Sequence, residues 1–306
     1  MKLLDPNVTA SDVIYNNIQK SHAWNESPDL AANHVEELYS VTSHLLDAKF
    51  PEQIKHDFTA CYSEMYFAAA LMERSSFEIT HPSDEGADFF VQNLNCWIEV
   101  TAATDGEEDN PNTIPKQKMN VAQSYPEKQV ILRLSSAFYT KANKLKNDIN
   151  KGLISKDQPI IICISGGGLI ENLPIHAEGG YPVITKVVLP VGDMVYWLNR
   201  ETHKLVSTEY KYREGVNKNT KDGESMISTD FFLNEEYNHI SAVIYSWTNA
   251  ANPINRDKWG CDFYTVHNPS AINKLPVGVI QCGTEYPVTS NTESFTMEPA
   301  ISHEKS

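Results

Sequence analysis

The chain has 306 residues, of which 41% are hydrophobic and 21% charged, so it is long enough for one large domain or two modest ones and is not typical of a disordered protein. Its net charge of −15 argues against a protein that coats nucleic acid non-specifically, because phosphate binding depends on Lys and Arg. It does not exclude an enzyme that meets DNA through a local basic surface. The lysine-rich stretch 116–158 is either such a surface or a solvated helix face.

The N-terminal region predicts helices. Residues 8–49 carry two amphipathic patterns, and a third helix, apolar almost all round and therefore expected to be buried, begins near Thr59. We expect residues 1–56 to form an N-terminal helical segment. No secretory signal opens the chain, the five cysteines form no CxxC pair, and no apolar run approaches the roughly 20 residues of a membrane helix, so a cytoplasmic location is expected.

Three short runs rich in β-forming residues follow the third helix: FEIT, ADFFVQ and CWIEVTA. After a polar loop, residues 130–152 indicate either a strand that feeds a helix or one helix throughout, and PIIICIS predicts a buried strand. We therefore expect residues 57–170 to form an α/β (α+β) core, with a mixed sheet flanked by helices.

The second half of the chain has fewer helical patterns than the first. Residues 171–288 predict short strands separated by turns, as a β-rich C-terminal portion packed on the core, and residues 289–306 predict a flexible tail. His267 ends one of these strands, and a structural role is the favoured interpretation for it.

Two acidic residues interrupt the apolar runs ADFFVQ and CWIEVTA. If these runs are the arms of a hairpin with its tip at Asn93-Leu94, or with a four-residue loop at 92–95, Asp88 faces Glu99 on one face of the sheet. Like charges placed opposite each other are destabilising. A shared proton, a basic side chain or a divalent cation must therefore neutralise them.

Glu64, in the buried third helix, is a candidate third acid. Burying an unpaired charge is costly, so a carboxylate on an apolar helix is expected to be paired or to bind a metal. Glu64 could instead cap the N-terminus of its own helix, where the helix dipole favours an anion. Both interpretations stay open.

The order of these residues resembles the PD-(D/E)xK nuclease superfamily: a helix with Glu64, a strand, the stretch Gly86-Ala87-Asp88-Phe89, and the apolar strand that carries Glu99. ILRLSSAFYTK, HISAVIYS and DFYTVHNPSA are also similar to a group of bacterial proteins with the same acidic core. The resemblance implies a restriction-endonuclease-like fold in which Asp88, Glu99 and Glu64 hold Mg²⁺ (or Mn²⁺) and phosphodiester bonds are hydrolysed. DNA is the expected partner, no membrane is expected, and a homodimer stays open.

This chain departs from the family at one position, because Thr101 stands where the family has a lysine two residues after the Glu. Lys141, in the following helix, is the expected catalytic substitute, and Lys144, Lys146 and Lys151 are expected to face solvent. Arg133 and Lys118 are weaker substitutes and candidate contacts to the substrate. The sequence therefore leaves two alternatives: a metal-dependent endonuclease, or a catalytically inactive nuclease-fold module with a regulatory or protein-binding role.

Overall fold

The structure is a computed structural model that describes residues 2–24, 30–82, 85–107, 110–116, 121, 123–169, 180–221, 223–291 and 294–303. Within these ranges the helices are α1 (Val13–Trp24), α2 (Leu30–Thr42), α3 (Phe50–Gln53), α4 (Phe58–Ser75), α5 (Glu127–Asn150) and α6 (Val183–Val188). None of the helices in these ranges has the length and apolar content needed to cross a lipid bilayer.

The strands of the first half are β1 (Ile79–Thr80), β2 (Phe89–Val91), β3 (Cys96–Ala102) and β4 (Ile160–Ser165). Those of the second half are β5 (Val191–Leu198), β6 (Leu205–Tyr212), β7 (Gly215–Thr220), β8 (Gly223–Ser228), β9 (Ala242–Ser246), β10 (Tyr264–His267), β11 (Thr284–Tyr286), β12 (Val288–Ser290), β13 (Phe295–Met297) and β14 (Ile301–Ser302).

Eight of these strands form one mixed sheet in the order β1-β2-β3-β4-β9-β10-β11-β14. The remaining strands pair as three two-stranded ribbons, β5-β6, β7-β8 and β12-β13. The predicted class, a mixed sheet flanked by helices with a β-rich C-terminal half, is confirmed. The sheet takes strands from both sides of residue 170, so the predicted core and the C-terminal portion share it.

Alternation along the strands divides the core into two layers. On β3, Cys96, Ile98 and Val100 pack with the helices α1 to α4 on one face of the sheet. Trp97 packs on the opposite face, where α5 and α6 lie. Strands β3, β4 and β9 run parallel, whereas β1, β2 and β3 form an antiparallel meander. The position of Glu99, between Ile98 and Val100, therefore directs its side chain towards α5.

Residues 127–150 form one helix, which decides between the two interpretations of this segment. Val130, Leu134, Phe138, Ala142 and Leu145 are buried along one face at helical spacing, and the long amphipathic pattern outweighs the β-forming residues at its start.

Parts of the segment 289–306, for which a flexible tail is predicted, form strands among the described residues. Val288 is buried, Phe295 and Met297 pack against the same layer of the core, and β14 pairs with β11 at the edge of the large sheet. The segment is mostly polar, so its composition predicts a tail, but its few apolar residues make these contacts.

Candidate functional site

The β2-β3 hairpin has the predicted register. Phe89 pairs with Ile98, Phe90 with Trp97 and Val91 with Cys96. The connection is a turn of 3₁₀ helix followed by Asn95 in the left-handed region, at φ 49°, so the four-residue loop is the correct alternative. Carried one residue beyond β2, this register sets Asp88 opposite Glu99.

Asp88 is fixed against the neighbouring strand. Its Oδ2 accepts a hydrogen bond from the backbone N–H of Val100 at 2.6 Å, and its backbone carbonyl lies 3.0 Å from Nδ1 of His81. No donor from the described residues reaches Oδ1. Asp88 therefore holds one carboxylate oxygen in place and keeps the other available.

Glu99 is completely buried and is paired with two lysines of α5. Lys141 Nζ donates to Oε1 at 2.5 Å, while Lys144 Nζ lies 2.7 Å from Oε2 and 2.8 Å from Oε1. Lys144 also donates to the carbonyl of Gly86 at 2.7 Å. Two ammonium groups from the following helix therefore lie against the Glu99 carboxylate.

Lys144 is partly exposed, as expected, but its ammonium binds Glu99 instead of extending freely into solvent. Residues three apart lie on the same face of an α-helix, so a helix that turns Lys141 towards Glu99 turns Lys144 there as well. Lys146, by contrast, lies on an exposed face, with its Nζ 3.3 Å from Glu236 Oε1. The spacing of Lys141 and Lys144 was the available sequence signal for this second contact.

Glu64 lies inside α4 and does not cap it. The N-cap of α4 is Asp57, whose side chain accepts a hydrogen bond from the backbone N–H of Ala60. Glu64 is half-buried, and burial together with the nearby Asp88 carboxylate raises its pKa from 4.5 to about 8. The capping alternative is therefore excluded, and Glu64 belongs electrostatically to the acidic pair.

The three acids and Lys141 influence one another's protonation. Burial and the charge of Asp88 raise the pKa of Glu99, although both lysines act in the opposite direction. Burial alone would lower the pKa of Lys141, but the carboxylates of Glu99 and Asp88 raise it above its usual value. The cluster therefore places three carboxyl groups beside two ammonium groups, and burial and the charge of Asp88 raise the pKa of Glu64.

A cleft of about 760 Å³ opens beside this cluster. Glu64, Asp88 and Lys144 line it, together with the segment 45–50 and the C-terminal part of α5. Glu99 does not line the cleft and lies behind Lys144. A ligand in the cleft can therefore reach Glu64 and Asp88 directly, but it reaches Glu99 only if Lys144 moves.

The donor set fits a hard divalent cation in its chemistry. Asp88 Oδ1 and the Glu64 carboxylate receive no hydrogen bond from the described residues, and carboxylate oxygens are the ligands that Mg²⁺ prefers. As these side chains stand, however, no three His, Cys, Asp or Glu residues in the described ranges form a group that could hold a metal. Binding through all three acids therefore requires a rearrangement of Glu99 and its lysines.

The other candidates lie elsewhere. Arg133 binds the loop after β3, with Nε 2.6 Å from the carbonyl of Thr104 and Nη2 2.8 Å from its hydroxyl, and has no contact with Glu99. Lys118 lies outside the described residues. Thr101 is half-buried on β3, opposite Ile164 of β4, and adds no charge to the site.

No protein-family model matches the chain, and no curated protein or solved structure is significantly similar to it. The functional interpretation therefore depends on the geometry of the acidic cluster and on the resemblance of its residues.

Proposed function

We propose that the protein is a Mg²⁺-dependent endonuclease that hydrolyses phosphodiester bonds in DNA at the cleft beside Asp88. The observation that carries this proposal is the pair formed by Lys141 and Glu99, next to Asp88 and Glu64. It brings an ammonium group to an acidic cluster in which the residue two positions after Glu99 is a neutral threonine. The homodimer considered from the sequence stays a prediction.

Each residue has a role that follows from its environment. Asp88, Glu64 and Glu99 would hold Mg²⁺ or Mn²⁺, which would supply the positive charge that activates a water molecule and neutralises the scissile phosphate. Lys144 lines the cleft, where it can contact an incoming phosphate. Once phosphate competes for Lys144, the Glu99 carboxylate becomes available and Lys141 remains as the fixed cation.

The raised pKa of Glu64 gives the proposal a signature that does not depend on activity. With a pKa of about 8, Glu64 carries a proton near pH 7 in the protein alone. A cation binds only the ionised carboxylate, so Mg²⁺ binding should release a proton from the site. Calorimetric titration with Mg²⁺ in two buffers of different ionisation enthalpy measures this release.

The second candidate function is a catalytically inactive module with a regulatory or protein-binding role. It is favoured by the complete burial of Glu99 and by the two lysines that already engage both of its oxygens. In that case the lysines are permanent counter-charges that allow the acid to be buried, and the protein should take up no divalent cation at Asp88.

The decisive experiment combines cation binding with cleavage. We expect the native protein to bind Mg²⁺ or Mn²⁺ and to cleave DNA, and Asp88→Asn to lose both. Lys141→Ala should keep cation binding but lower turnover by about 10²–10³, the usual effect of removing one preorganised stabilising group. Lys146→Ala, on the exposed face of the same helix, is the matched control and should retain activity. Cation uptake that is absent, or unchanged in Asp88→Asn, would favour the inactive module.

A further inference from the structure

One buried side chain in the cleft has no role in the proposed cation site. Asp148 lies on α5, four residues after Lys144, and its side chain is 6% exposed. It lines the cleft, and its Oδ2 has no hydrogen-bond partner among the described residues. A carboxylate only accepts hydrogen bonds, and a buried acceptor without a donor is unfavourable, so the free protein leaves this group unsatisfied. Because Oδ2 itself is shielded from solvent, a ligand that brings an N–H or O–H donor would satisfy it once the Asp148 side chain turns towards the cleft.

The same cleft offers contacts for an anion. Besides Lys144, it is lined by Lys49, Lys151 and His81. Lys49 and Lys151 are exposed, so their ammonium groups are available to a ligand that enters from solvent. The cleft is also lined by the acids Asp47, Glu64, Glu85, Asp88 and Asp148. The contacts open to a phosphate are therefore those at its lysines, and Asp148 is the buried acceptor for a neutral donor.

The size of the cleft selects among nucleic acids. Its volume of about 760 Å³ lies within the range of roughly 300–1,000 Å³ found for sites that enclose one small ligand. Recognition of a duplex usually spreads over roughly 1,000–2,500 Å² of protein surface. In a paired duplex, moreover, the donors on the Watson–Crick edges of the bases are used between the strands. An unpaired base offers these donors to a protein, as in enzymes that read a flipped base.

We propose that the cleft takes an unpaired nucleotide, with the Watson–Crick edge of its base donating to Asp148 and its phosphates contacting Lys144 and Lys151. This inference rests on the proposed nuclease function and names the form of its substrate. Asp148 is then a specificity-determining residue. It should favour bases that present an N–H donor at the position it reaches.

The test compares three oligonucleotides of one sequence: a single strand, a perfectly paired duplex, and a duplex with one unpaired nucleotide. We expect the native protein to bind the single strand and the unpaired nucleotide at least about ten-fold more tightly than the paired duplex, by fluorescence anisotropy in Mg²⁺-free buffer. Cleavage in Mg²⁺ should follow the same order. The anisotropy measurement does not depend on turnover, so it tests the inference even where no cleavage occurs.

The variants separate base recognition from folding. Asp148→Asn replaces a pure acceptor with a group that also donates, so it should change the relative affinity for the four homopolymeric single strands by about ten-fold, the scale of one good base contact. Asp157→Asn, an exposed aspartate in the loop after α5, is the control and should leave the preference unchanged. Lys151→Gln should weaken binding of all four single strands equally. It should also reduce the slope of log affinity against log salt concentration by about 0.7 to 1.

The outcomes distinguish the two proposals. Equal binding and cleavage of paired and unpaired DNA would overturn the unpaired-nucleotide inference and leave the nuclease proposal intact. Absent cleavage of every substrate in Mg²⁺, with preferential binding of single strands retained, would remove the nuclease proposal and keep the binding mode. A base preference unchanged in folded Asp148→Asn, as judged by thermal unfolding, would overturn the role of Asp148.

Discussion

Two glutamates of the same sheet, Glu99 on β3 and Glu285 on β11, are both completely buried, yet their surroundings differ. Glu285 accepts hydrogen bonds from Nε2 of His267 at 2.8 Å, from Nε2 of His303 at 2.7 Å, and from the backbone N–H of Gly278 at 2.9 Å. Burial alone would raise the pKa of Glu285, but these hydrogen bonds hold it below the usual value. Glu99 also has strong partners, but burial and Asp88 raise its pKa.

The difference comes from the neighbours of like charge. Two histidines and a backbone amide donate hydrogen bonds to Glu285, and no other carboxylate among the described residues competes for these donors, which is the pattern expected of a structural group. Glu99 shares Lys141 with Asp88 and Glu64, and the cleft lies beside the cluster. Burial of an acid is therefore a weak sign of function, whereas burial together with competing carboxylates beside a cleft is a stronger one.

The largest expected effect on stability comes from Glu285, the structural glutamate of the pair. Glu285→Ala removes the acceptor of two histidines and one amide, so it should lower the free energy of unfolding by about 3–5 kcal/mol, the usual result of breaking a buried pair. The loss should be visible as a lower midpoint in denaturant unfolding. Glu285→Gln, which keeps one carbonyl acceptor, should lose less. A loss below about 1 kcal/mol for Glu285→Ala would show that the three hydrogen bonds are not what stabilises β11 and β14.

The pH dependence of stability tests the acidic cluster around Glu99. Because the pKa of Glu64 is raised from 4.5 to about 8, the folded protein holds a proton that the unfolded chain has released in this window. The free energy of unfolding should therefore fall as pH rises from about 4.5 to 8, by at most about 1.4 kcal/mol per pH unit for one proton. Urea unfolding at several pH values measures the slope.

Glu64→Gln carries no titrating group, so it should flatten this slope and be more stable than the native protein at pH 8. Glu78→Gln, at an exposed position just before β1, tests whether the change is specific to the cluster. A slope that persists unchanged in Glu64→Gln would place the raised pKa on another group.

The sequence predicted the local part of the site because short-range rules determine it. The alternation of side chains and the centre of the loop fix every pair of the β2-β3 hairpin, including the position of Asp88 relative to Glu99. The class of the sheet followed from the order of apolar patterns. Lys141 follows the hairpin on the next helix, and the structure brings its ammonium to Glu99. Lys144, three residues further along the same face of that helix, contacts Glu99 as well.

Contacts between distant segments could not be predicted. His267 and His303 each lie 18 residues from Glu285, and they meet it only because β10, β11 and β14 are neighbours in the sheet. Nothing in the local pattern of these residues indicates a buried cluster. Asp148 could not be predicted for the same reason, since the cleft that it lines also takes residues from the distant segment 45–50. Register is a local property, whereas burial of a polar side chain is set by tertiary packing.

The smallest expected effect on stability comes from Asp88, the neighbour of like charge that distinguishes the surroundings of Glu99 from those of Glu285. Asp88→Asn removes a negative charge opposite Glu99, and the amide oxygen can still accept the hydrogen bond from the backbone N–H of Val100. Relief of repulsion should stabilise the protein by some tenths of a kcal/mol to about 1 kcal/mol, the range of cross-strand pairs. Part of this gain is offset, because Asp88 also attracts Lys141. Thermal unfolding in buffer free of divalent cations measures the balance.

A second measurement shows whether the gain in stability of Asp88→Asn comes from reduced charge repulsion. After burial, Asp88 is the largest contribution that raises the pKa of Glu64, so Asp88→Asn should lower that pKa from its value of about 8. Carboxyl ¹³C chemical shifts of Glu64 followed through a pH titration report the change. Asp88→Ala, which also removes the acceptor for Val100, should be less stable than Asp88→Asn. If Asp88→Asn itself loses more than about 1 kcal/mol, its carboxylate acts as the Glu285 carboxylate does, as a structural acceptor, and the case for a cation site at the cleft weakens accordingly.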